Sequence, residues 1–347
     1  MEIKQLLKVL CLEDAPSGDE KNLFQVIENA FSEFGNVEFD KMNNSYIHKK
    51  GKKDKCKVAL MAHADEVFLM ITSIEENGFL KFKSVGIDAK TLISQEVTVH
   101  GKKDILGIIG IKPPHLMNEK ERSEAIPSDK LLIDTGYAYE ELKKIVSVGD
   151  YVTIKRNFYE LLNDNVTCKA VDNRASIAAM YSCGEFLKSV EHDAEVYFIC
   201  SAQEEVGHRG AKIAAYNVNP DICIAIDVTF DGGKFGDTDR ENEVGGGPVI
   251  CIGPNIHAKV MEKIIEVANK YDINYKVEVE PGNTGCDAWD TQISRAGIPS
   301  VLISIPIKYM HTSVEMVNVN DIKNTGILIG RFIEELNDME MEELLCF

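Results

Sequence analysis

Four stretches of this chain are apolar almost without a break: KVALMA at 57–62, VYFIC at 196–200, ICIAI at 222–226 and SVLISI at 300–305. A strand with one face in water alternates apolar and polar residues, so a run apolar at every position needs cover on both faces. Helical patterns supply the cover. ASIAAMYSCGEFLK at 175–188, residues 258–271 and residues 321–336 read as helices, as does the amphipathic N-terminus MEIKQLLKVLCLED. Leu23, Phe24, Ile27 and Phe31 share one helical face behind the cap candidates Ser17 and Asp19. The alternation predicts an α/β fold, a sheet with helices on both sides.

The middle of the chain breaks that rhythm. FLKFKSV, QEVTVHGKKDILGIIGI and DYVTIKR are strand-like segments separated by turn residues, with a short helical pattern only at 139–145. We read an inserted all-β domain over 67–165, and a discontinuous α/β domain over 1–66 and 166–347. No internal repeat is visible.

Charge narrows the partners. There are 38 Lys and Arg against 56 Asp and Glu, a net charge of −18. Such a surface repels nucleic-acid phosphates and anionic membranes, leaving peptides, small molecules and cations. No uncharged apolar run reaches the roughly 18 residues that span a bilayer, and the charged N-terminal helix does not read as a signal peptide. Nine cysteines without CxxC pairs predict reduced, mostly buried thiols, a cytoplasmic address and no zinc ribbon.

The ends of the apolar runs carry the chemistry. His63, Asp65 and Glu66 follow KVALMA; Glu204 and Glu205 follow VYFIC; Asp227 follows ICIAI; His311 follows ISIPIKYM; Asp172 opens a helix after the inserted domain. In open α/β sheets ligands gather beyond the carboxyl ends of the strands. Carboxylates converging there repel one another and resist desolvation, and few Lys or Arg stand at the same strand ends to offset them. A divalent cation can. Two histidines among acids suit zinc or a similar transition metal better than calcium. Five ligands exceed one tetrahedral ion that also holds water, but fit two ions about 3.5–4 Å apart with a bridging carboxylate. The His-x-Asp spacing lets Asp65 hold the far nitrogen of His63. Of the adjacent glutamates, one can bind metal while the other accepts a proton.

The segments AHADEV, AVDNRAS, SAQEEVGHRGA, AIDVT and IKYMHTSVEMV resemble the signature blocks of metallopeptidase family 42, the tetrahedral-shell aminopeptidases. GIIGIKPPHLM, LLIDTGY, VGDYV and NTGCDAWDTQISRAGIPS are similar to that family too, so the resemblance spans nearly the whole chain. It implies a Zn-peptidase-like (phosphorylase/hydrolase-like) mixed sheet flanked by helices, with an inserted β-barrel that makes dimers and, through them, a twelve-subunit shell. It implies two divalent ions per subunit, zinc first, cobalt or manganese otherwise. His63 and Asp227 would hold one ion, Glu205 and His311 the other, and Asp172 would bridge them. Glu204 would be the general base and Asp65 the partner of His63. A cis peptide after the bridging Asp, at Asp172–Asn173, is also implied. There are two departures: Phe68 stands where the family commonly has Gly, and Cys286 where it often has Thr.

The expected activity is removal of N-terminal residues from short peptides by metal-activated water. The loop 230–247, together with 283–290, is a candidate side-chain pocket; Lys234 or Arg240 would favour acidic residues, and Asp231, Asp237 or Asp239 basic ones. Alternatives are a glucanase, a label some relatives carry, a deacylase on the same fold, and a non-catalytic metal-dependent assembly protein. Glycoside hydrolysis needs only a carboxylate pair and would leave both histidines without a purpose.

Overall fold

The computed structural model describes residues 1–53, 56–119, 126–233, 241–336 and 338–345. By contacts the chain divides into two units, Met1–Asp65 with Phe158–Met310 and Val314–Phe347, and Glu66–Asn157 with His311–Ser313.

The first unit is built on an 11-stranded mixed sheet. Its centre is parallel: Glu195–Ser201, Lys57–His63, Ile222–Phe230 and Ser300–Lys308 lie side by side in that order. Antiparallel strands extend both flanks, among them Ser45–Lys49 on one side and Glu315–Asn318 on the other. The unbroken apolar runs have the predicted reason. Val58, Leu60 and Ala62 join Val196, Phe198 and Cys200 in the larger core, with residues of the helices Ile3–Leu12, Val171–Leu187, Ala258–Lys270 and Val319–Glu335. Their neighbours Ala59, Met61 and Ile199 point the other way and pack on Ala211, Ala214 and Ala215 of the helix Arg209–Val218. These two strands feed two cores, one per face of the pleat.

The N-terminal region differs from expectation in one detail. A 3-10 turn, Glu20–Leu23, precedes the helix Phe24–Phe31, and neither start has a side-chain cap. Ser17 instead donates its hydroxyl to the Asp65 carboxylate at 2.5 Å.

The second unit contains a closed six-stranded antiparallel barrel, Phe68–Ile74, Phe79–Val85, Leu132–Asp134, Asp104–Gly110, Glu96–His100 and Tyr151–Ile154 in order around the ring. Closure removes exposed strand edges. Along Asp104–Gly110 burial alternates strictly, with Ile105 and Ile109 inward and Leu106 and Ile108 exposed. Phe68 is buried and meets the Tyr151 ring edge-on at 5.2 Å. The chain leaves this unit at Asn157, and Tyr159–Glu160 already pairs with Asn165–Cys168 in the large sheet.

Among the described residues no helix is long and apolar enough to cross a membrane, and the eight described cysteines are buried and form no disulfide.

Candidate metal centre

Strand register brings the first candidate ligands together. Met61 pairs with Ala225, so two residues further on His63 and Asp227 stand at one level on the same side of the pleat. Ser201 pairs with His63, so the chain leaving Ser201 enters the glutamate loop beside that imidazole. Asp172 arrives from the start of the helix Val171–Leu187, where the Asp172–Asn173 peptide is cis. Its backbone N–H donates to Glu315 Oε2 at 3.0 Å, and the Asn173 amide donates to the Ile226 carbonyl at 2.9 Å, anchoring the turn to the Asp227 strand.

His63 Nε2 then faces three carboxylates: Asp172 Oδ1 at 3.0 Å, Asp227 Oδ1 at 3.9 Å and Glu204 Oε2 at 3.9 Å. His63, Asp172 and Asp227, and likewise His63, Glu204 and Glu205, place ligand atoms within 4.8 Å of one another. The other ring nitrogen, Nδ1, meets Asp65, its carbonyl oxygen at 3.1 Å and its carboxylate at 3.6 Å. The Asp65 carboxylate also accepts the backbone N–H groups of Glu204 and Glu205. His311 stands with φ 60° on the turn between the strands Ser300–Lys308 and Glu315–Asn318.

Electrostatically the cluster is short of positive charge. Burial pushes the Asp227 carboxyl well above its ordinary range, with Asp172 and Glu204 adding to the rise. Burial likewise pushes Glu204 up to about 7 against the pull of His63 and His208. His63 is buried, which alone lowers an imidazole, yet the surrounding carboxylates of Glu204, Asp172, Asp65 and Asp227 together hold it protonated well above its usual range. Buried imidazole and carboxylate donors facing one point, two of the acids resisting ionisation, fit a divalent cation of the transition series.

Several partners were not evident in the sequence. Glu20 braces the glutamate loop from the N-terminal region, its Oε1 accepting the Gln203 N–H at 3.1 Å, and Ser17 donates to Asp65, which accepts from that loop. Ser201 donates to the buried Asp287. His208 lies 3.1 Å from Glu204 Oε1; its spacing four residues after Glu204 was the available signal. Cys286 is buried just before the helix Asp287–Thr291, its thiol 3.3 Å from the Thr284 hydroxyl. Of the pocket candidates, Asp231 is buried, accepts the N–H groups of Gly233 and Val244, and lies 3.8 Å from Lys308 Nζ. Lys234, Asp237, Asp239 and Arg240 lie outside the described residues.

Solved structures with this layout include aminopeptidases. The chain superposes on the aminopeptidase APDkam598 of the archaeon Desulfurococcus kamchatkensis with a TM-score of 0.91 and 32% identity, over 99% of this chain and 98% of that one. The TET1 peptidase of Pyrococcus horikoshii gives a TM-score of 0.84 at 29% identity, over 96% of this chain and 100% of that one. In sequence the chain is 36% identical to the lysyl aminopeptidase of Pyrococcus furiosus across 317 residues, 88% of each. The protein is therefore a peptidase. More closely, residues 43–328 match the family described as M42 glutamyl aminopeptidase, and the chain belongs to that family.

Proposed function

We propose that the protein removes N-terminal residues from short peptides with two divalent ions and Glu204 as general base. The observation that carries this reading is the convergence of Asp172, Asp227 and Glu204 on His63 Nε2 within 3.9 Å. His63 and Asp227 would hold one ion, Glu205 and His311 the other, with Asp172 common to both ligand sets. Zinc suits the donor chemistry best, with cobalt or manganese as alternatives. When bound, such ions lower the pKa of an attacking water and stabilise charge on the scissile carbonyl oxygen.

The remaining work falls to side chains. Glu204 is buried, with Oε2 toward the cluster, and takes the proton on that oxygen before passing it to the departing amine. Asp65 orients His63 through Nδ1. Acidic groups around the site suit the ammonium of a free peptide N-terminus, which restricts cleavage to the first residue.

The TET1 peptidase of Pyrococcus horikoshii can assemble into a tetrahedron or a large octahedral shell. We extend a homo-oligomer of that kind to this chain, with the barrel as its dimerisation element. A reducing, cytoplasmic setting accords with buried cysteines that form no disulfide among the described residues.

The test is a panel of aminoacyl-nitroanilides with zinc, cobalt and manganese supplied in turn, run with and without chelator, beside N-blocked peptides and a β-glucan. Chelator-sensitive release from unblocked substrates alone is expected. Equal hydrolysis of blocked peptides, or glucan cleavage in its place, overturns the reading.

A further inference from the structure

Glu204 uses its two carboxylate oxygens differently. Oε2 faces His63 at 3.9 Å, and Oε1 lies 3.1 Å from His208 Nε2. The other nitrogen of His208, Nδ1, lies 3.2 Å from Asp290 Oδ2, and Asp290 Oδ1 accepts from Lys212 Nζ at 3.3 Å. Glu204 follows the strand Glu195–Ser201, His208 and Lys212 belong to the start of the helix Arg209–Val218, and Asp290 comes from the helix Asp287–Thr291. Three elements thus meet at one imidazole.

We propose that His208 is the positioning residue for Glu204: braced by Asp290 at Nδ1, it holds Oε1 through Nε2 so that Oε2 stays turned toward the ligand cluster. An imidazole between two carboxylates can present N–H to both only as imidazolium. The Glu204 ion pair, with burial opposing it, holds His208 protonated up to about 9, and Asp287 and Asp290 act in the same direction.

Helix stability does not explain the residue. His208 occupies the N-cap position with φ 50° and makes no side-chain cap hydrogen bond. A cation there opposes the helix dipole, whose N-terminal end favours anions, and a left-handed conformation is unfavourable for a residue with a Cβ. What His208 gains is the Glu204 and Asp290 pair. A glutamate stem has three rotatable bonds, and a general base must be kept within reach of its proton.

This inference rests on Glu204 as the base, and the experiment separates the two. His208→Leu, His208→Gln, Asp290→Asn, Glu204→Gln and the Glu204→Gln/His208→Leu pair are compared as zinc-loaded full-length protein. The readouts are kcat, KM and zinc content on one aminoacyl-nitroanilide. Removal of a group that orients a functional residue typically costs about 10–100-fold. His208→Leu is expected to lower kcat by that factor, with KM within about twofold and zinc content unchanged. His208→Gln, which keeps an N–H donor, recovers part of the loss, Asp290→Asn falls between, and adding His208→Leu to Glu204→Gln costs nothing further. A His208→Leu kcat within about twofold of wild type while Glu204→Gln is inactive overturns the inference alone. Near-normal turnover by Glu204→Gln removes the base and the inference with it. Should His208→Leu fail to fold, a kcat unchanged in both His208→Gln and Asp290→Asn, or a loss in KM only, overturns the proposal.

Discussion

Asp65 Oδ1 accepts the backbone N–H of Glu204 at 3.0 Å. Its other oxygen accepts from the Glu205 N–H at 3.2 Å and from the Ser17 hydroxyl at 2.5 Å. One fully buried carboxylate therefore ties the glutamate loop to the N-terminal segment while also facing His63. Asp65→Ala would leave these donors buried without an acceptor, at about 1–3 kcal/mol for each group so stranded. We expect the variant to lose about 2–4 kcal/mol of stability as well as turnover. Thermal midpoints at fixed protein concentration check this; a variant of unchanged midpoint and reduced kcat would limit Asp65 to orienting His63.

The adjacent glutamates should fail differently. Glu204→Gln keeps the ligand sets containing His63, Asp172 and Asp227 and loses the proton acceptor. Turnover is expected to fall about 10²–10⁴-fold with metal retained. Glu205→Gln should instead lower metal content, with part of the activity returning in excess zinc. Elemental analysis beside kcat separates the two; the opposite assignment would exchange the base and the ligand.

The metal-stripped protein should lose stability as pH rises. Burial raises Glu204 from 4.5 to about 7, so its stabilising proton is fully present below about 4.5 and lost as pH passes about 7. The Glu204 ion pair raises His208 from 6.5 to about 9, so its contribution is full below about 6.5 and lost through about 9. The thermal midpoint is expected to fall between pH 5 and pH 9, and the Glu204→Gln/His208→Leu variant to show a flatter curve. A midpoint that rises over this range in wild type, with the double variant parallel to it, would contradict both shifts.

Gly326 lets two helices of the larger core approach closely. A Cβ there would stand 2.4 Å from the Ala179 carbonyl oxygen and 2.5 Å from Ser182 Cβ, so Val319–Glu335 would have to move off Val171–Leu187. Gly326→Ala gains about 1 kcal/mol of helix propensity, but overpacking costs about 1–3 kcal/mol. The clash is with backbone, which yields least, so net destabilisation is expected in chemical denaturation. A variant more stable than wild type would show that the helices can separate freely.

The strands of the parallel centre were legible because their composition admits one solution. Runs such as Val58–Ala62 and Ile222–Ile226 are tolerable only with both faces covered, and along Val58–Ala62 alternate residues do enter two different cores. The inserted all-β domain was legible through its strand-like segments and turn residues, whereas the inward and outward alternation at Asp104–Gly110 was not, because Leu106 and Ile108 are apolar yet exposed. Ser17 was not legible, because its fitness as a helix cap is local whereas its bond to Asp65 crosses 48 residues. His208 and Asp290 were not legible as partners, since they meet only after two helices have packed.

By itself the amino-acid order determined which segments needed burial on two sides, and therefore an α/β frame with acidic and imidazole groups waiting at strand ends. It determined the residue types of the candidate cluster for the same reason: those side chains cannot be placed beside a core cheaply without a counter-charge. Tertiary structure alone decided the register that sets His63 level with Asp227, the two oxygens of Asp65 shared between loop and N-terminus, and the rotation of Glu204 between His63 and His208. These are relations between distant segments, fixed by how strands align and helices pack, and local pattern carries no record of them.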